Sequence, residues 1–248
     1  MSTARSLLWI TIAWFMLCAN SVASVIIIGT RVVYPLNAKD VSVRLNNNGS
    51  SASLVQAWID DGDASASPEN ISVPFVLSPP MFRINPTHSQ MLRLVYTGEN
   101  KAPRDRESVY WLNVLEIPPK PDASAGENTL QFAVRSRIKI FLRPAELSGD
   151  PAAAPAQVQW RAMRDGASLK LLAFNPTPFH VSLGEVVWAA PNGTLGRPLS
   201  GMVNPKSEQA FVFEGAFQEG QAATKVQFKY VNDYGAFVDG VSGVTTAP

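Results

Sequence analysis

From Asn128 to Pro144 the chain reads NTLQFAVRSRIKIFLRP, and this run limits what the rest can fold into. Its even positions, Leu130, Phe132, Val134, Ile138, Ile140 and Leu142, are apolar, with Ser136 the one exception. The odd positions are mostly polar or cationic, among them Gln131, Arg135, Arg137, Lys139 and Arg143. A two-residue period held this long describes a β-strand with one apolar face. Strands usually run to about five or six residues, and an unpaired surplus recruits other chains. The surplus must therefore pair with something, either within its own domain or outside it.

The remainder reads as strand, turn, strand. Ser24–Val33, Asp40–Leu45, Ser53–Ile59, Gln90–Tyr96 and Ser108–Leu115 are rich in Val, Ile, Leu and aromatic residues. Turn-formers separate them, among them Asn46–Gly49, Asp60–Asp63, Pro79-Pro80, Gly98–Asn100 and Pro118-Pro119. A second set follows an Ala, Pro and Gly-rich stretch, Gly149–Ala156: Val158–Trp160, Ser168–Phe174, Val181–Trp188, Gln209–Phe213 and Lys225–Val231. No helix-period segment is long enough for an α/β fold. The fold class expected is all-β, two immunoglobulin-like β-sandwich domains. The expected boundaries are 24–144 and 157–248, with 145–156 as linker.

Residues 1–23 carry one charge, Arg5, then an apolar core from Leu7 to Leu17, then Ser21-Val22-Ala23. That is the pattern of a secretory signal peptide cleaved after Ala23. The apolar core is short of the roughly 20 residues that span a bilayer. The single cysteine, Cys18, falls within the leader, so the processed chain has no thiol. Of the formal charge of +1, Arg5 contributes one, which leaves the processed chain neutral. Neutrality gives no reason to expect nucleic acid or an anionic membrane as partner.

Enzyme chemistry finds little support. The two histidines, His88 and His180, are far apart in sequence, and Cys/His metal spacings, GxSxG and the P-loop are absent. Neither a metal nor a cofactor is expected. Asp60-Asp61 reads as a solvated turn pair, and Asn192-Gly193-Thr194 as a chance match to a glycosylation pattern.

Several short motifs occur in one order: Gly29-Thr30-Arg31, Leu54–Ile59 (LVQAWI), Pro79-Pro80, Asp105–Pro119 (DRESVYWLNVLEIPP), Lys139 with Arg143-Pro144, Asn175–Phe179 (NPTPF) and Val231–Gly235 (VNDYG). Together, behind a leader, they resemble the periplasmic pilus-assembly chaperones, the PapD-like family, over nearly the whole processed chain. The resemblance implies two sandwiches set as an L or boomerang with a cleft between them. It also implies a chaperone that captures pilin or fimbrial subunits and delivers them to an outer-membrane usher. The mechanism implied is donation of a β-strand without ATP, a mode already known as an example of strand addition.

The resemblance also assigns residues. Arg31 and Lys139 would hold the subunit's C-terminal carboxylate, and Leu130, Phe132 and Val134 would be the donated side chains. Glu107, Arg143 and Asp233 would form a charge cluster between domains. Leu54, Gln56, Pro80, Met81, Arg93, Ile117 and Pro118 would meet the usher. The Lys120–Glu127 segment is short and cysteine-free, like that of the short-loop branch, whereas Leu115 stands where relatives often carry a basic residue. Self-association of the free protein is left open. The residues alone favour the plainer readings, in which the long strand fills its own domain's core and Arg31 and Lys139 are solvated; the resemblance reverses them. A secreted structural or adhesive immunoglobulin-like protein is the competing reading.

Overall fold

The computed structural model describes residues 24–99, 102–119, 131–165, 168–190, 193–213 and 225–246. The leader with Cys18, the Lys120–Glu127 segment, Leu130 and Asn192 lie outside the described residues. The first domain holds β1 (Val25–Ile27), β2 (Arg31–Pro35), β3 (Val41–Asn47), β4 (Ser53–Asp60), β5 (Phe75–Ser78), β6 (Met81–Ile84), β7 (Ser89–Tyr96), β8 (Ser108–Ile117) and β9 (Val134–Arg143). They form two facing sheets, β1-β3-β7-β5 and β2-β9-β8-β4-β6. Apolar residues of both inner faces make one core, with Tyr34, Leu45, Val55, Leu92, Leu94, Leu112, Ile140 and Leu142 buried.

The segment expected as one strand, Ser24–Val33, is two. Ile28, Gly29 and Thr30 bend between β1 and β2, and Gly29 takes φ of 111°, a conformation that disfavours any residue with a Cβ. The bend moves the chain from the first sheet to the second. There β2 lies parallel to β9, with Arg31 beside Lys139 and Pro35 beside Arg143. This is the one parallel pairing described in the first domain, and it brings two cations from distant parts of the sequence side by side.

The second domain holds β10 (Gln159–Asp165), β11 (Ser168–Asn175), β12 (Val181–Ala190), β13 (Gly193–Val203), β14 (Ser207–Phe213), β15 (Lys225–Val231) and β16 (Phe237–Thr246). Their order is β13-β12-β15-β16-β10-β11-β14. The long β16 links the two faces: Phe237–Gly243 pairs antiparallel with β15, and the end from Val244 pairs parallel with β10. Trp160, Leu171, Val186, Trp188, Phe211, Phe213 and Phe228 fill the space enclosed. Strands β13 and β16 are additions to the sequence reading. Their Gly and Pro content (GTLGRPLSGMV and FVDGVSGVTT) depresses the local strand signal, and pairing on both sides of β16 overrides it.

The Ala/Pro-rich connection is packed. Ala154 and Pro155, in a short 3-10 turn, are buried, and Leu147 packs against the second core. Asp60 also departs from expectation. It ends β4 with no exposed surface and takes hydrogen bonds from Arg137, Asn113 and the Gly62 amide. The turn begins one residue later, so its neighbour Asp61, and not Asp60, is the exposed member.

Candidate functional site

The odd positions of β9 turn away from the first domain's core, and each has a distinct partner. Arg135 donates to Asn113 and to the carbonyl of Ala64, with its guanidinium over the Trp58 ring. Arg137 pairs with Asp60 and lies 4.6 Å from the Trp111 ring centroid. Burial pushes the Asp60 carboxyl upward, but hydrogen bonds from Arg137, Asn113 and Gly62 outweigh it and hold the group below the usual range. Further along, Lys139, Phe141 and Arg143 meet the second domain.

A cleft of about 220 Å³ opens there, lined by Arg31, Phe141 and Arg143 from one domain and by His180, Ser182, Val231 and Asp233 from the other. The Arg31 guanidinium donates to the Val231 carbonyl at 2.7 Å and sits 5.5 Å from the Phe141 ring centroid. Its buried Nε has no hydrogen-bond partner among the described residues. Lys139 Nζ is 3.4 Å from Ser182 Oγ at the cleft wall. Burial, then the neighbouring Arg31, lowers the Lys139 pKa from its ordinary value. Arg31 is also lowered by burial, against the pull of Asp233 and Glu107. These are two adjoining half-shielded cations that form no ion pair among the described residues, an arrangement able to accept an anion. A carboxylate there would gain charge-assisted hydrogen bonds of about 1.5–3 kcal/mol each.

Arg143 bridges the domains. It donates from Nε to Glu107 at 2.5 Å and holds Asp233 in a fork at 2.7 and 3.0 Å. Burial disfavours its charge, yet Asp233 and Glu107 raise its pKa above the ordinary value. The second oxygen of Glu107 accepts from the His180 backbone N–H at 2.7 Å, and His180 Nδ1 lies 3.1 Å away. His180 was missed in the sequence because its role there depends on its backbone position, which no side-chain pattern reveals. Nearby, Gly235 at φ 85° is so close to Thr30 that a Cβ would stand 2.4 Å from the Thr30 hydroxyl.

Among the described residues, no strand pairs with the β2-side edge of β9 at its other end. Strand β2 pairs only with Lys139–Arg143, whereas β8 pairs along the opposite edge from Val134 to Leu142. Phe132 is 69% exposed and Val134 40%, while Ile138 is half-buried and Ile140 fully buried. One alternating row of side chains thus runs from solvent into the core.

None of the seven residues considered for a second interface is buried. Leu54, Pro80, Met81 and Arg93 are exposed, and Gln56, Ile117 and Pro118 half-buried. Leu54 lies opposite Ile117, and Gln56 opposite Met81, in the second sheet. Arg93 belongs to the other sheet, opposite Ser78, and its guanidinium is held by Asp40 at 2.7 Å.

Two family models match most of the described fold. Residues 24–148 match the pili and flagellar-assembly chaperone PapD N-terminal domain, and residues 153–242 the pili assembly chaperone PapD C-terminal domain. The chain belongs to the PapD-like pilus-assembly chaperone family. It is 40% identical to the probable fimbrial chaperone YadV of Escherichia coli strain K12, covering 90% of each chain. It is 42% identical to the chaperone protein HifB of Haemophilus influenzae, again over 90% of each. Among solved structures it is similar to the YadV chaperone (TM-score 0.72, 36% identity, 89% of this chain and 100% of the other). It is also similar to the structure of the Salmonella enterica SafA pilin in complex with the SafB chaperone (TM-score 0.71, 25% identity, 91% and 98%). In this PapD-like chain, β9 contributes Lys139, Phe141 and Arg143 beside the cleft, and Arg31 joins them from the paired β2.

Proposed function

We propose that this chain is a periplasmic chaperone that captures fimbrial subunits by lending them β9 and anchoring their C-terminus at Arg31 and Lys139. The observation that carries this reading is the form of β9. Five residues, from Val134 to Ile138, have one backbone edge free of β2, and this free stretch ends beside the two cations. At about 3.4 Å per residue, Val134 and Lys139 lie some 17 Å apart, so a subunit strand fixed at its carboxylate would run along the open edge. Exposed Phe132 and Val134, with Leu130 preceding them in the alternation, would enter the subunit's unfilled core. Three such side chains contribute roughly 5–9 kcal/mol, before the cost of ordering both partners. The subunit's folding supplies the driving force, with no nucleotide and no catalytic step.

Export by residues 1–23 to the periplasm of a bacterium with two membranes, and delivery to an outer-membrane usher through the Leu54, Met81 and Ile117 surface, complete the proposed cycle. The family of fimbrial chaperones supports this reading over that of a secreted structural or adhesive protein. Co-expression with a candidate pilin tests it. The exported protein should co-purify with the pilin from periplasmic extract, and Arg31→Ala or Lys139→Ala should abolish recovery while leaving the melting temperature nearly unchanged. Equal recovery with both variants would remove the anchor from the mechanism.

A further inference from the structure

The inward-facing row of β8 contains an anomaly. Leu112 and Val114 point into the first domain's core, and the next residue on that row, Glu116, is a carboxylate that is only 8% exposed. A buried carboxylate is costly unless donors and a counter-charge meet it. Donors are present: the Val25 N–H reaches Oε2 at 3.0 Å, the Ser53 hydroxyl reaches Oε1 at 2.8 Å, and the Ser24 hydroxyl also donates to Oε1. The Ser24 backbone N–H is directed at it too, and these bonds together overcome burial to keep the carboxyl below its ordinary pKa. Among the described residues no arginine, lysine or histidine forms an ion pair with it.

Ser24 itself occupies a built seat. Its carbonyl accepts the Asn48 N–H at 2.7 Å. Gly49 lies so close that a Cβ there would fall 2.4 Å from the Ser24 Cβ. Residue 24 is therefore clamped on three sides, with its backbone nitrogen beside a buried anion that has no cation among the described residues. The sequence reading puts leader cleavage between Ala23 and Ser24.

We propose that Glu116 is the receptor for the processed chain's own N-terminus, an α-ammonium that exists only after the leader is removed. The inference rests on that cleavage position and is independent of how the protein binds its subunits. Hydrolysis by a leader peptidase breaks the Ala23–Ser24 amide. The water's hydroxyl goes to the Ala23 carbonyl carbon and its hydrogen to the Ser24 nitrogen, which takes a further proton from solvent at neutral pH. The neutral amide donor becomes a cation, and the Glu116 charge is compensated. In the precursor the same site holds an uncompensated carboxylate, so the first domain gains its full stability only after export. Glu116 is paired across the sheet with Val134, so the gain falls where the open edge of β9 begins.

The test uses the exported, processed protein, with its N-terminal residue established by mass. It is compared with a form carrying two extra alanines before Ser24, each with Glu116 intact and as Glu116→Gln. The extension should lower the melting temperature by at least about 4 °C, a visible shift for a protein of this size. In Glu116→Gln that difference should vanish. The α-amino group of the processed protein should titrate at least one unit above its ordinary value of about 7.7–8.0, and return to that value in Glu116→Gln. If Glu116→Gln does not fold, selective acetylation of the α-amino group of the unsubstituted protein should produce the same loss. An N-terminus at another residue, an ordinary α-amino titration, or an extension penalty equal in both backgrounds would each overturn the proposal.

Discussion

Lys139 shows how one residue's environment sets a property that its type alone does not. Burial and the adjoining Arg31 both disfavour its ammonium, so the free protein releases this proton below the ordinary lysine value of about 10.4. Where Lys139 is ionised its charge opposes folding; that opposition starts to fade as pH passes the lowered value and is gone above the ordinary lysine value. Binding a carboxylate reverses the preference. The complex therefore holds the proton more tightly than the free protein, and affinity must fall as pH rises through the free-state value. Titrating the chaperone with its subunit at a series of alkaline pH values should show affinity declining before the ordinary lysine value is reached. A flat profile up to that point would mean that Lys139 does not touch the ligand. The same side chain also marks a limit of sequence reading. Alternation puts Lys139 on the face opposite Phe132 and Val134, and only the second domain's Ser182, from a strand more than forty residues away, makes that face the wall of a cleft.

At the level of the strand, β9 carries two different faces. Its even row passes from exposed Phe132 and Val134 to buried Ile140 and Leu142, so a substitution has opposite consequences at the two ends. Phe132→Ser removes an aromatic that contributes little to this domain's core. It should shift the melting temperature hardly at all while destroying subunit capture. Truncating a core aromatic would instead cost roughly 3–5 kcal/mol, so a large loss of stability would return the strand to its own domain. Strands of this kind were legible in the sequence because a period of two survives wherever one face is buried. The break at Gly29 was not, because Ser24–Val33 is apolar on either side of it and the change of sheet depends on pairing with β9. Strand β16 was hidden by its glycines, one of which, Gly240, is required by the close approach of the Phe228 ring. Asp60 was misread for a related reason. Its acidic neighbour and following glycine signal a turn, whereas Arg137 across the sheet draws it into the ladder.

Across the whole molecule, contacts of unequal worth join the two domains, and Arg143 holds a carboxylate from each. Its side chain is 19% exposed, that of Glu107 1% and that of Asp233 34%. Arg143→Ala would leave Glu107 buried beside His180 without its strongest cation. Breaking a buried pair from one side costs about 3–5 kcal/mol, so this variant should melt much lower. Asp233→Asn removes a partner that solvent already screens, and a contact of that class is worth about 0–1 kcal/mol. Its melting temperature should barely move, because Arg143 keeps Glu107. The geometry should nevertheless loosen, since the fork from Arg143 to Asp233 is what ties β9 to the Val231–Gly235 turn. That turn also supplies the carbonyl that orients Arg31, so looser domains should weaken the anion receptor without unfolding either core. Solution scattering should then show a broader spread of interdomain distances for Asp233→Asn than for the unsubstituted protein, together with reduced affinity for the subunit. A variant with unchanged scattering and reduced affinity would place the role of Asp233 in the electrostatics of Arg31 alone. Unchanged affinity with a broadened spread would show that the cleft tolerates domain motion, and that Arg143 stabilises the fold without setting the binding geometry.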